Sequence, residues 1–349
     1  MAIAQKTVEI GAYQVAHLTL TNQQGMVVEL MNWGATLVDI STPDRDGSVQ
    51  SVTLAHRDWD AYEANAPFFG STIGRVAGRI PYGRFRLAGQ AYQLPTQAAF
   101  GNHHLHGGSG AMWQQLWQVE SVHEVENAVT FFYRSLAGEN DYPSQLDLRV
   151  TYSLTENSEL TIRYESSNTE ATLCNPTNHA YFNLSGNASR TVHEHQLQVA
   201  ADEVCEMSEA LLVTGGVWSV SGTDFDFRDL KPLRLALDSQ DPRLRLAAGI
   251  DHYFVLKDTA SAEPSVVLYD AVSGRRLRVW TDRPCVVLYA HNYSAGELLR
   301  HGAVGVTHDA LCIETQLLPH IVGSNGDHPA AQYPTTSAVT VTVFAFDAL

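Results

Sequence analysis

No stretch of this chain sustains apolar residues at the i, i+3, i+4, i+7 spacing of an amphipathic helix. Short apolar or alternating runs recur instead, and turn chemistry separates them. Tyr13–Leu20 and Met26–Leu30 flank Asn22-Gln23-Gln24-Gly25, and Pro43-Asp44-Arg45-Asp46-Gly47 divides Met31–Ile40 from Val49–Leu54. Further strands are expected at Phe85–Leu87, Tyr92–Leu94, Trp117–Val122, Ala128–Tyr133, Leu146–Leu154 and Glu159–Ser166. A later set covers His195–Ala200, Val266–Asp270, Arg276–Thr281, Cys285–Ala290 and Ala338–Phe346. His56–Ala66, with Trp59 and Tyr62 three apart, is the first candidate for a helix or a loop. The pattern predicts an all-β chain, a large antiparallel β-sandwich with few short helices. No Pro-, Gly- or Ser-rich linker and no internal repeat interrupts it, so residues 1–349 are expected to form one domain.

Composition narrows the partners. With 22 basic against 38 acidic residues the formal net charge is −16, which repels phosphate backbones and disfavours nucleic acid. A small neutral ligand is the better expectation. The four cysteines, at 174, 205, 285 and 312, form no C-x-x-C pair, which argues against a zinc ribbon or a redox motif. The opening residues lack an apolar signal region, and no run approaches 18 apolar residues. A cytoplasmic protein without membrane contact is the expectation, with buried thiols kept reduced.

Five segments carry chemistry. Asn175-Pro176-Thr177-Asn178-His179-Ala180-Tyr181-Phe182-Asn183-Leu184 sets three amides and an imidazole among aromatic and apolar residues. Such groups need partners when buried, and histidine is suited to moving protons near neutral pH. A lone histidine beside aromatics is more often a satisfied core residue, so this segment does not decide by itself. Gly70–Ile80 holds Gly74, Gly78, Arg75 and Arg79; tight backbone there would present Arg75 inward as a fork of donors. In Asn102-His103-His104-Leu105-His106-Gly107-Gly108 an extended chain would put His104 and His106 on one side. That pair invites a metal, but the next carboxylate, Glu120, is not local. Asp251-His252 opens an apolar strand, and Tyr289 closes another. In Ala310-Leu311-Cys312-Ile313-Glu314-Thr315-Gln316 a single carboxylate lies in an otherwise apolar strand; buried acids are rare unless paired or functional. An ion pair with Arg75 is the structural alternative for Glu314.

Together these segments resemble the aldose 1-epimerases, the family of the galactose mutarotases. The likeness rests on Gly74-Arg75-Val76-Ala77-Gly78-Arg79-Ile80, Leu105-His106-Gly107-Gly108, Thr177–Leu184, Asp251-His252 and Ile313-Glu314-Thr315-Gln316, and it runs over nearly the whole chain. The resemblance implies a β-sandwich with an open face for a pyranose, and interconversion of the α and β anomers of aldohexoses such as galactose and glucose. It implies Glu314 as the base on the C1 hydroxyl and His179 as the acid on the ring oxygen. It implies Arg75, His106, Asp251 and Tyr289 as sugar-binding residues, neither metal nor organic cofactor, and a monomer or homodimer. The segments Ser109–Trp113 and His320–Pro329 depart from the family pattern, and both are expected to flank the pocket. A hexose 6-phosphate epimerase would need Arg75, Arg79, Arg84 and Arg86 to converge. A non-catalytic sugar-binding protein would not need both His179 and Glu314, and a metal enzyme would use His104 and His106.

Overall fold

The computed structural model describes residues 3–349. Its two longest central strands show how the alternation becomes a sheet. Along Leu146–Leu154 and Glu159–Asn168 burial alternates strictly, so that Leu146, Leu148, Val150, Tyr152 and Leu154 face inward opposite Leu160, Ile162 and Tyr164. Successive side chains of a strand point to opposite faces, so an alternating sequence half-buries itself on one sheet face.

Three antiparallel sheets hold most of the strand residues. Ala4–Ile10, Tyr13–Thr21, Val27–Met31, Thr36–Pro43 and Val49–Ser51 form a five-stranded meander in chain order. The six-stranded sheet runs Tyr181–Phe182, Leu311–Gln316, Cys285–Tyr289, Asp251–Leu256, Ala201–Met207, Val213–Ser219. The nine-stranded sheet begins with Gln118–His123, Ala128–Ser135, Leu146–Leu154 and Glu159–Asn168. It continues through Thr335–Ala348 into Arg275–Thr281, Val266–Tyr269, Gln196–Val199 and Lys231–Pro232. The C-terminal strand is therefore the fifth of nine and joins the earlier half of that sheet to the later half.

One core cluster links all three sheets. Val129, Phe131, Leu148, Val150, Ile162 and Phe344 of the nine-stranded sheet meet Leu18, Leu20, Val28 and Leu30 of the meander. The same cluster takes Phe254, Val286, Leu288 and Ile313 from the six-stranded sheet. The nine-stranded sheet is thus one layer of a sandwich, and the other two sheets share the facing layer. Among the described residues the α-helices are single turns at Ala61–Ala64, Arg234–Leu237 and Pro242–Leu246. The first falls inside the His56–Ala66 stretch. Among the described residues no helix is long and apolar enough to cross a membrane. Cys174, Cys205, Cys285 and Cys312 are all free and buried.

Some strands lay outside the sequence expectation. Ala4–Ile10 is an edge strand with most of its residues exposed on both faces, so it has no apolar alternation to read. Ala201–Met207 and Val213–Ser219 carry acidic residues and a Gly-Gly pair, which read as loop.

Because Thr335–Ala348 pairs with Glu159–Asn168 on one side and Arg275–Thr281 on the other, a chain ending at residue 334 loses both ladders. We expect that truncation to abolish the cooperative unfolding transition in circular dichroism. A truncated protein that still melts cooperatively would overturn this role for the strand.

Candidate active site

The six-stranded sheet presents its second face to a cavity of about 640 Å³. Register builds that floor. On Leu311–Gln316, Leu311 and Ile313 enter the core, and Thr315 bonds to the Thr342 hydroxyl at 2.6 Å. By alternation Cys312, Glu314 and Gln316 take the opposite face. Pairing sets Val287 opposite both Glu314 and Tyr253, and Tyr289 opposite both Asp251 and Cys312. Two rows of side chains result, Tyr253–Val287–Glu314 and Asp251–Tyr289–Cys312, with Tyr181 continuing the second through its pairing with Cys312.

His179 reaches this floor from the short strand Thr177–Asn178, which pairs with Thr72–Ile73. Its backbone is fixed on both sides: its N–H donates to the Ser71 carbonyl at 3.0 Å and its carbonyl accepts from Gly70 at 3.0 Å. The ring stacks on Tyr181 with centroids 5.0 Å apart, and its Nδ1 lies 3.6 Å from Cys312 Sγ. Nε2 is left facing Glu314 Oε1 at 3.6 Å. Both side chains are about 95% buried. Glu314 Oε2 has no hydrogen-bond partner, nor has the side-chain nitrogen of Gln316.

Burial governs the charges here. It pushes the Glu314 carboxyl up to about 8, Asp251 adds to the rise, and Arg79 works against it. Burial likewise pulls the His179 imidazole down to about 3. The low-dielectric setting therefore favours an uncharged pair holding one proton.

His106 stands over the pair, its ring edge-on to His179 at 5.3 Å. Its φ is +52°, a left-handed conformation uncommon for a residue with a side chain. Two bonds to one residue hold it there: its N–H donates to the Gly78 carbonyl at 3.2 Å, and its Nδ1 accepts from the Gly78 N–H at 3.3 Å. An accepting Nδ1 leaves the proton on Nε2, a donor for a ligand oxygen. Gly107 follows at φ +83°, where a Cβ would fall 1.9 Å from the Gly74 carbonyl. Burial holds the His106 imidazole well below its usual range, with His179 and Arg79 adding to the effect.

The structure brings His179, Glu314, His106, Asp251 and Tyr289 to one cavity. It does not bring Arg75. That side chain is 2% exposed and turns away into the loops beside Ala128–Ser135. Its guanidinium donates to the hydroxyls of Ser135 and Thr172 and to the carbonyls of Ser135, Leu136, Pro143 and Ser144. Neither ligand nor Glu314 receives a donor from it. The arginine at the cavity is Arg79, 3.8 Å from Asp251.

The expected His104–His106 pair also separates. Left-handed backbone at His106 breaks the extended alternation, and His104 points to Tyr142 at 2.8 Å and the Pro95 carbonyl at 2.7 Å. The two departing loops do not line the cavity either. Trp113 packs behind Phe68, and His320 lines a separate cavity of about 570 Å³ with Arg84 and Arg86. Tyr253 and Gln316, which do line the site, lay two residues from Asp251 and Glu314; the period of two along a strand was the signal for both.

This arrangement has relatives. The Aldose 1-epimerase family profile matches residues 16–327. The chain is 36% identical to galactose mutarotase of Mus musculus over 320 residues, 91% of this chain and 90% of that protein. The chain belongs to the aldose 1-epimerase family. It is 34% identical to an Escherichia coli aldose 1-epimerase over 319 residues, 91% of this chain and 89% of the relative. The crystal structure of galactose 1-epimerase from Lactobacillus acidophilus superposes with a TM-score of 0.87 at 29% identity, covering 100% of this chain and 99% of that one. For a member of the aldose 1-epimerase family, the two arginines of the Gly74–Ile80 run thus have separate surroundings, Arg75 in the scaffold and Arg79 at the cavity.

We expect Arg75→Ala to leave six acceptors without their donor, and the three in fully buried bonds should each cost about 1–3 kcal/mol if left unpaired. Thermal unfolding should show a large fall in Tm, with the KM of the folded fraction unchanged. Arg79→Ala should do the reverse, raising KM by about tenfold or more through loss of a charged hydrogen-bond donor. A Tm unchanged in Arg75→Ala would return that residue to the list of binding candidates.

Proposed function

We propose that the cavity interconverts the α and β anomers of a neutral aldohexose, with Glu314 and His179 moving the protons. The observation that carries this reading is the buried pair itself: His179 Nε2 and Glu314 Oε1 at 3.6 Å, with a carboxylate oxygen unpartnered. Ring opening requires one proton off the C1 hydroxyl and one onto the ring oxygen, with no redox change. Glu314 as carboxylate takes the first, and the C1–O5 bond breaks as C1=O1 forms. His179 as imidazolium delivers the second to O5. The open chain then rotates about C1–C2, and the two groups return their protons in reverse on closure.

Electrostatics favour the middle of this cycle. In the open-chain complex both groups are neutral, which is the form burial prefers. In the ring-closed complexes the carboxylate is ionised, and Arg79 and the sugar hydroxyls stabilise it. His106 Nε2–H, Asp251 and Tyr289 hold the remaining hydroxyls and the ring face.

Arg79 is the one arginine among the described residues lining the cavity. A hexose 6-phosphate substrate would want several cations converging, so a neutral sugar fits better. As a monomer or homodimer the protein acts on a small sugar, in a reducing compartment where its four thiols stay free, and the cytoplasm is the compartment we assign.

Glu314→Gln and His179→Ala should each lower kcat for freshly dissolved α-D-galactose or α-D-glucose by about 10²–10⁴ in polarimetry. Sugar binding should persist in both. A Glu314→Gln protein that equilibrates the anomers at the wild-type rate would sink the assignment. With Glu314 raised to about 8 and His179 lowered to about 3, the pair carries one proton between those values. After subtraction of the buffer-catalysed rate, kcat/KM should be flat across pH 5–7 and fall as pH rises above about 8, where the pair loses its proton. A rate still rising at pH 9 would contradict a shared-proton pair.

A further inference from the structure

The proton-transfer pair has a third nitrogen beside it. One ligand atom each from His106, His179 and Glu314 lies within 4.8 Å of the other two, and all three residues are buried. Their ligand atoms converge for separate local reasons. His106 Nδ1 is taken by the Gly78 N–H, so Nε2 is the nitrogen that faces the cavity, and a metal there would replace its proton. His179 Nδ1 faces Cys312 Sγ, so Nε2 again points inward. Glu314 Oε2 has no partner. The three come from different parts of the fold: a left-handed loop, a two-residue strand and the cavity floor.

We propose that this triad binds a zinc ion, and that zinc and sugar exclude one another. Two imidazoles and one carboxylate, with a fourth position open, form a donor set that suits Zn²⁺ in tetrahedral coordination. Hard cations such as Mg²⁺ want oxygen ligands in larger number and gain little here. Bond lengths of about 2.1 Å place tetrahedral donors roughly 3.4 Å apart. The His179–Glu314 edge, at 3.6 Å, is already close to that spacing. The His106 side must close by up to about 1.4 Å, and Nε2 must give up its proton; as that proton moves to Nδ1 the bond from the Gly78 N–H is lost, while the His106 N–H keeps its bond to the Gly78 carbonyl. Asp251 adds negative charge nearby, while Arg79 opposes the ion.

The consequence is inhibition. A lone pair bound to zinc cannot take or give a proton, and the nitrogen that would donate to a sugar hydroxyl is occupied. The inference uses the residues of the proposed reaction but does not rest on that reaction taking place.

Chelator-treated protein should be titrated with ZnCl₂ by calorimetry, first without sugar. One site is expected, with affinity falling by about tenfold or more in both His106→Ala and Glu314→Gln. His123→Gln, half exposed on the edge strand Gln118–His123 of the nine-stranded sheet and outside the cavity lining, should leave it unchanged, and MgCl₂ should give no such binding. Saturating galactose should weaken zinc binding, and in polarimetry zinc should raise the apparent KM with kcat unaltered. Should His106→Ala fail to fold, the near-isosteric Glu314→Gln carries the test. Zinc binding that survives both substitutions, or that proceeds unweakened alongside bound sugar, would overturn the site. Zinc bound through the triad by a protein that neither binds nor turns over galactose would instead overturn the sugar reading and leave the metal site standing.

Discussion

Desolvation of one carboxylate organises this molecule. Glu314 sits in a strand whose alternate residues are committed to the sandwich core, so the sheet cannot release the acid to solvent without exposing Leu311 and Ile313. Removing a charge from water is expensive, and the group answers by holding its proton. Everything near it then acquires a role in that balance. Asp251 raises the cost of ionisation, Arg79 lowers it, and His179 offers a place for the proton to go. A site of this kind cannot be assembled on a flexible surface loop, because the effect depends on excluded water and fixed distance.

Much of this was legible from residue order alone. The alternation in Leu146–Leu154 marks that strand to the residue, since one wet and one dry face leave a period of two in the sequence. Glu314 announced itself for the same reason, a charge at a position where the pattern demanded an apolar side chain. What could not be read was direction. Arg75 and Arg79 lie in one glycine-containing run, and nothing in their spacing says which guanidinium meets carbonyls and which meets the cavity. His104 and His106 failed to pair because the left-handed turn at His106 depends on the opposing Gly78 backbone, a contact 28 residues away in the chain. Strand Ala4–Ile10 was missed because an exposed edge carries no hydrophobic code.

The same run of residues therefore does two jobs. Arg75 ties three separate loop carbonyl groups into the scaffold, and four residues later Arg79 faces the ligand space. Between them Gly78 has φ +77°, and a Cβ there would fall 2.7 Å from the Tyr253 hydroxyl. Its bareness lets the backbone approach the floor closely enough to grip His106. Scaffold and site meet within five residues, which is why a sequence match to such a run identifies the family without assigning each side chain.

The last strand also sets a timetable. Thr335–Ala348 fills the middle of the widest sheet, between partners made much earlier in synthesis. Until it leaves the ribosome, Glu159–Asn168 and Arg275–Thr281 each carry an unpaired edge, and neither can find its permanent neighbour. Exposed strand edges recruit other chains. This protein must therefore complete its largest layer late, in a step dominated by distant contacts, and such steps are slow and open to misassembly. In a crowded cell its yield would then be decided by what guards those two edges during the wait, more than by the stability of the finished sandwich.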